Sequence, residues 1–304
     1  MQLKPSALAG WALFLLLLFL SVFYALAGLG TSVTVNPAAY LVLGGAEILI
    51  YGIPALVLRQ YRPFRGLVRL RGRPAHRYFS MNALFSALTL AFASFSAYAL
   101  TVLPLGRVPE GLAAYYPIPP GVPEGLGWTM AASLVLVPAV MEELLLRGAV
   151  FSLYEKRGTA TALIMTAAAT AMLQSRPETL LPALITGFGC GVLAYCSGSV
   201  WPAMFAHMAV NGYAMLTGRL AELYPTLRFW RYYTAGNTAV MFLCAYVAVR
   251  TLRNLVREEQ VPPPDPGPAA LRTNLSGAVG ALGFLLFGAL FLMRIAVTIV
   301  ARLA

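Results

Sequence analysis

Two short stretches put ionisable and amide side chains into otherwise apolar sequence. The first reads Val137-Pro138-Ala139-Val140-Met141-Glu142-Glu143-Leu144-Leu145-Leu146-Arg147-Gly148, and the second Trp201-Pro202-Ala203-Met204-Phe205-Ala206-His207-Met208-Ala209-Val210-Asn211. On a helix Glu143 and Arg147 share a face, with the acid N-terminal to the base, the favourable order for an ion pair. Glu142 points about 100° away, and Leu146 holds the position where a neutralising cation would sit. A desolvated carboxylate beside a second one has the setting that a general base requires near neutrality. His207 and Asn211 again lie four apart, so both polar tips leave one face of an apolar helix. Imidazole and amide donors in a low-dielectric pocket stabilise the oxyanion formed when a peptide carbonyl is attacked.

Each cluster alone has a structural reading. Glu143 and Arg147 could be a buried brace, and His207 with Asn211 could be interhelical hydrogen-bonding glue. The two together in one small bundle point to a site, because a charge within a bilayer costs at least about 2.5–3.5 kcal/mol on insertion scales. Glu47 and Arg294 also fall in apolar stretches, have no evident partner in sequence, and read as structural. His76, the other histidine, lies in an Arg-rich loop and reads as solvated. A catalytic zinc site takes three protein ligands, often mostly histidines. With one usable histidine and no His-Glu-x-x-His, no metal or other cofactor is expected. Cys190, Cys196 and Cys244 form no CxxC pair and read as small buried hydrophobes.

At these residues the chain resembles the CPBP family of intramembrane glutamic proteases, which contains CAAX prenyl endopeptidases and bacteriocin-processing or immunity proteins. The family's Glu-Glu-x-x-x-Arg is matched by Glu142, Glu143 and Arg147. Its later His/Asn helix, often preceded by Gly-Ser-x-Trp-Pro, is matched by Gly198-Ser199-Val200-Trp201-Pro202 followed by His207 and Asn211. The resemblance implies an endopeptidase whose cavity opens toward the cytosol. In it Glu142 activates the attacking water, Arg147 holds the acidic pair, and His207 with Asn211 forms the oxyanion site. The family's Phe-x-x-x-His on the intervening helix is replaced here by Thr170-Ala171-Met172-Leu173-Gln174. Gln174 can hold a water through its amide but cannot take up a proton in this range. The alternative is therefore a catalytically silent binding or immunity protein that uses the same cavity. A transporter reading finds no inverted repeat to support it.

These residues need a scaffold, and the composition states its kind. Charged residues are 11% of the 304 and hydrophobic residues 59%, against about 25% charged in soluble domains. Nine apolar stretches, at 8–29, 38–58, 82–104, 127–150, 159–174, 179–196, 199–216, 235–252 and 276–299, predict an all-α polytopic transmembrane bundle of 8–9 spans with a CAAX-protease-like core. Three parts are expected: helices and a basic loop over 1–126, the core over 127–216, and helices with a Pro-rich linker over 217–304. The net charge of +11 follows a membrane rule and not a nucleic-acid one. Fourteen basic residues fall on one side, seven of them from Arg59 to Arg77, and six on the other. Because cytoplasmic loops retain positive charge, the N-terminus is expected in the cytoplasm, and the Arg-over-Lys bias hints at a bacterial membrane. The Arg59–Arg77 loop is expected to touch anionic headgroups. The first stretch ends in Ala25-Leu26-Ala27, a cleavage-like site, but its length favours a retained anchor. The substrate expected is a membrane-associated peptide or protein.

Overall fold

The computed structural model describes residues 4–26, 37–60, 79–109, 124–174, 176–258, 261 and 268–303, and among these every regular element is helical. The helices are α1 (Pro5–Leu26), α2 (Pro37–Glu47), α3 (Ile53–Gln60), α4 (Phe79–Val102), α5 (Glu124–Ala131), α6 (Val137–Glu143), α7 (Phe151–Glu155), α8 (Thr159–Met172), α9 (Leu180–Ser197), α10 (Trp201–Leu223), α11 (Leu227–Arg257), α12 (Pro268–Val279) and α13 (Leu282–Leu303). Wider π-helical segments, Ile48–Gly52, Ala132–Leu136 and Leu144–Val150, join α2 to α3, α5 to α6 and α6 to α7. Two of these have a readable cause. Proline clashes with the carbonyl four residues before it and donates no N–H. Pro54 and Pro138 lie four residues after Ile50 and Leu134, each within a π segment.

Among the described residues seven helical spans are long and apolar enough to cross a membrane: Pro5–Phe23, Tyr40–Leu58, Phe79–Leu105, Gly127–Glu155, Pro177–Ser197, Leu227–Arg257 and Leu282–Ala301. The chain is an integral membrane protein. The other two of the nine apolar stretches are helices of a different kind. The one at 159–174 is α8, whose 14 residues reach about 21 Å, short of the ~30 Å hydrocarbon core. The one at 199–216 is α10, long enough at 23 residues but interrupted by His207 and Asn211. Two boundaries differ from the sequence reading. The stretch at 235–252 is the middle of the 31-residue α11, whose ends are basic and aromatic. The stretch at 276–299 is divided between α12 and α13 by Gly280 and Ala281. Most of the basic loop, the Pro-rich 104–126 segment and the 261–268 linker lie outside the described residues, as does Ala27 of the cleavage-like site.

Large apolar side chains point outward from the bundle, Phe19, Leu49, Phe242, Leu292 and Val300 among them, a surface that hydrocarbon solvates and water does not. Inside, Leu13, Leu17, Leu146, Leu153, Met165 and Phe287 form the largest buried cluster, drawn from α1, the 144–150 segment, α7, α8 and α13. A second cluster of smaller residues, Ala87, Cys190, Ala203 and Ala206, lets α4, α9 and α10 approach closely.

Buried polar groups fix the register of these helices. Asn82 Nδ2 donates to the Ala248 carbonyl at 2.8 Å and to Thr251 Oγ1 at 3.1 Å, tying α4 to α11. Asn237 Nδ2 donates to the Phe92 carbonyl at 2.9 Å and to Ser96 Oγ at 2.8 Å, while its Oδ1 accepts from the Tyr213 hydroxyl at 2.5 Å. That network locks α10 to α4 and α11. At the other side α13 crosses α1 at two glycines: a Cβ on Gly10 would lie 2.6 Å from the Phe284 nitrogen, and one on Gly283 would strike the Trp11 backbone.

Candidate active site

The acidic motif sits where α6 passes into the 144–150 π segment, and the two glutamates part there. Glu143 is fully buried. Its Oε1 accepts from Arg147 Nη1 at 3.0 Å and lies 2.9 Å from His207 Nδ1. Arg147 Nη2 donates further to Thr170 Oγ1 at 3.0 Å and to the Gly187 carbonyl at 2.6 Å. One guanidinium thus joins the acidic motif to α8 and α9. An ion in a dry interior persists only when its charge is compensated; Glu143 and Arg147 pair with each other and bond to three further helices, while Glu143 Oε2 and Arg147 Nε are buried without a hydrogen-bond partner.

Reaching α9 requires that α8 and α9 nearly touch. A Cβ on Gly187 would stand 2.8 Å from Thr170 Cβ and Oγ1 and 3.0 Å from Ala167 Cα, so only glycine lets the carbonyl come within reach of Arg147.

The Gly-Ser-x-Trp-Pro segment is the turn that launches α10. Gly198 adopts φ 63°, a left-handed conformation that favours glycine. The Ser197 hydroxyl donates to the Ser199 carbonyl at 2.8 Å and accepts from the Ser199 N–H at 3.1 Å, while Ser199 Oγ accepts from the Trp201 N–H at 3.3 Å. Pro202 in the first turn needs no N–H donor. The start fixed by this turn sets the face on which His207 and Asn211 emerge.

A cavity of about 830 Å³ lies between these elements. Glu142, Gln174, His207 and Asn211 line it, together with Thr170. Glu143 and Arg147 stand behind the wall and not on it. The Glu142 carboxylate is within electrostatic reach of Glu143, Arg147 and His207. The geometry therefore gives the two glutamates different positions: one is held in an ion pair, and the other faces open space where a water and a peptide could meet. Cys190 packs beside Glu143, its thiol 3.6 Å from the Ala203 carbonyl. Among the described residues no group of three His, Cys, Asp or Glu side chains is placed to hold a metal ion.

Two residues that read as structural in the sequence stand elsewhere. Glu47 and Arg294 both line the cavity, from α2 and α13, and so does Arg176, which follows α8. The sequence signal was present, since each of the first two is a charge inside an apolar stretch. What it lacked was the cavity itself, whose walls come from helices distant in the chain.

Residues 124–213 match the family model described as type II CAAX prenyl endopeptidase Rce1-like. The matched segment covers less than a third of the chain and contains Glu142, Glu143, Arg147, Gln174, His207 and Asn211. It bears out the resemblance read from the two motifs, and it supports a membrane protease as the kind of protein. No curated protein matches the chain, and neither does any solved structure.

Proposed function

We propose that this chain, similar over 124–213 to the CAAX prenyl endopeptidases, is an intramembrane glutamic endopeptidase that hydrolyses a peptide bond of a membrane-associated peptide or protein. The observation that carries the reading is the convergence of Glu142, His207 and Asn211 on one cavity wall, with Glu143 and Arg147 bracing them from behind. Glu142 takes a proton from the attacking water as the water oxygen bonds to the carbonyl carbon. The carbonyl oxygen becomes an oxyanion that accepts from Asn211 Nδ2 and from His207 Nε2. Because His207 Nδ1 is engaged by the Glu143 carboxylate at 2.9 Å, Nε2 donates only when the ring carries its second proton. Collapse breaks the C–N bond, and Glu142 returns its proton to the leaving amine. Catalysis thus requires Glu142 ionised and His207 protonated together, so the rate rises and then falls with pH.

The N-terminus belongs on the cytoplasmic face in this proposal, and reporter fusions at each loop test it. The reaction is tested by comparing membrane-protein termini, by mass spectrometry, between cells carrying the native chain and cells carrying Glu142→Ala at matched expression. A terminus that requires Glu142 supports the reading and identifies the substrate. The second reading, a silent binding or immunity protein, is favoured by Gln174 on the cavity wall; under it no terminus differs and Glu142→Gln leaves the cellular phenotype intact.

A further inference from the structure

Most buried polar groups of this bundle are satisfied across helices, as Asn82, Asn237 and Ser96 show. Glu47 is different. It ends α2, immediately before the Ile48–Gly52 π segment, and lines the cavity. Its Oε2 is buried with no hydrogen-bond partner, and among the described residues it has no ion pair. The span that carries it, Tyr40–Leu58, packs on the span that carries Glu142, Gly127–Glu155: a Cβ on Gly44 would touch Ser133 Oγ at 3.0 Å, and one on Gly52 would lie 3.4 Å from Met141 Sδ. The Glu47 and Glu142 carboxyls are near enough to interact electrostatically. An unpaired buried carboxyl costs stability, and a leucine would fill the same space without that cost.

We infer that Glu47 and Glu142 form a carboxyl pair that shares one proton and takes over the place left by the motif histidine, where Gln174 now stands. The inference rests on the proteolytic reading above. Two carboxyls in one poorly solvated space do not both ionise, so the pair carries a single negative charge. The ionised member, Glu142, accepts the proton of the attacking water as the new C–O bond forms, and the carbonyl electron pair moves onto oxygen. Glu47, the neutral member, keeps its proton throughout and is a positioning residue that sets the basicity of Glu142. When the C–N bond breaks, the proton from water passes from Glu142 to the amine nitrogen. One water is consumed, and the pair ends as it began. The other charged and titratable groups on the cavity wall are Tyr51, Tyr98, Tyr213, His207, Arg176 and Arg294, and none of them is altered in the test.

The test uses the purified full chain in proteoliposomes with the peptide identified by the terminus comparison. Because protonated Glu47 stabilises ionised Glu142 through the shared proton, Glu47→Gln is expected to move the acid limb of the kcat/KM profile to higher pH and to lower kcat near neutrality by about tenfold, with KM unchanged. Glu47→Asp should keep the limb near its native position. Glu47→Leu should lose activity while resisting heat as well as the native chain or better, the reverse of what a structural residue does. A native profile in Glu47→Gln overturns the pair and leaves the protease standing. If no cleavage depends on Glu142, the proteolytic reading falls, and infrared spectroscopy decides the pair by itself. A protonated-carboxyl stretch that disappears in both Glu47→Gln and Glu142→Gln supports it, and absence of that band from the native chain overturns it.

Discussion

Adjacent glutamates that differ by one position should fail in opposite ways. Glu143 is fully buried and bonded to Arg147 at 3.0 Å and His207 at 2.9 Å. Glu143→Gln leaves the Arg147 guanidinium buried with one neutral partner in place of its counter-ion. Removing one member of a buried pair costs about 3–5 kcal/mol, and at about 1.4 kcal/mol per tenfold that raises the globally opened population by about 140- to 3,700-fold. Cys190, Cys196 and Cys244 are all buried, so their reaction with a maleimide under mild denaturation reports that population. Site-resolved mass spectrometry should show all three labelling faster, in step, in Glu143→Gln. Labelling of Cys190 alone would be a direct effect on its immediate neighbour. Glu142→Gln removes a like charge from the cavity and should change labelling by about twofold or less, within the ±0.5 kcal/mol usual away from packed features, while abolishing cleavage. If Glu142→Gln opens the bundle and Glu143→Gln does not, the division of labour argued from the geometry is wrong.

Three further outcomes follow from the same contacts. Gly187→Ala drives a methyl into Thr170 and Ala167; it should cost about 1–3 kcal/mol by overpacking and reduce activity by displacing Arg147, read as a lower unfolding midpoint and slower turnover. Asn211→Ala removes one oxyanion donor and should lower kcat by about 10²–10³ with the melting profile unchanged, measured on the same peptide. A chelator should leave cleavage at its native rate, and inhibition reversed by added zinc would show that the carboxylates and His207 work around a metal.

The local rules were enough to read much of the site. The i and i+4 spacing placed Glu143 with Arg147, and the same spacing placed His207 and Asn211 on one face. Polar residues in apolar sequence are costly, and that made both clusters visible. What the sequence concealed were contacts between elements far apart in the chain. Arg147 meets Thr170 and Gly187, and nothing in either neighbourhood announces it except a glycine in an apolar helix. Glu47 faces Glu142 across nearly a hundred residues, so its solitary charge looked like a structural oddity. The π segments were legible in part: prolines at 54 and 138 mark two of them, whereas the segment from Leu144 to Val150 contains no proline, and Gly148 is its only obvious weak point.

That third segment lies where the chemistry needs it. A π turn frees the chain from the regular α repeat and occurs often at functional sites. Here it follows Glu143 directly and carries Arg147, so the guanidinium reaches α8 and α9 while Glu142 is left on the cavity side. The walls of that cavity come from two sources. Glu142, Gln174, His207 and Asn211 lie inside the matched segment. Leu20 and Ser21 from α1, Leu43 and Glu47 from α2, Ser94, Phe95 and Tyr98 from α4, and Met293, Arg294 and Val297 from α13 lie outside it. The family match therefore covers the groups proposed to act on a peptide bond and only part of the remaining cavity lining. In the proposed protease, selectivity is shared between the matched segment's own lining and the walls that α1, α2, α4 and α13 add, and the glycine crossing of α1 by α13 is what holds the last of these walls, with its arginine, against the site.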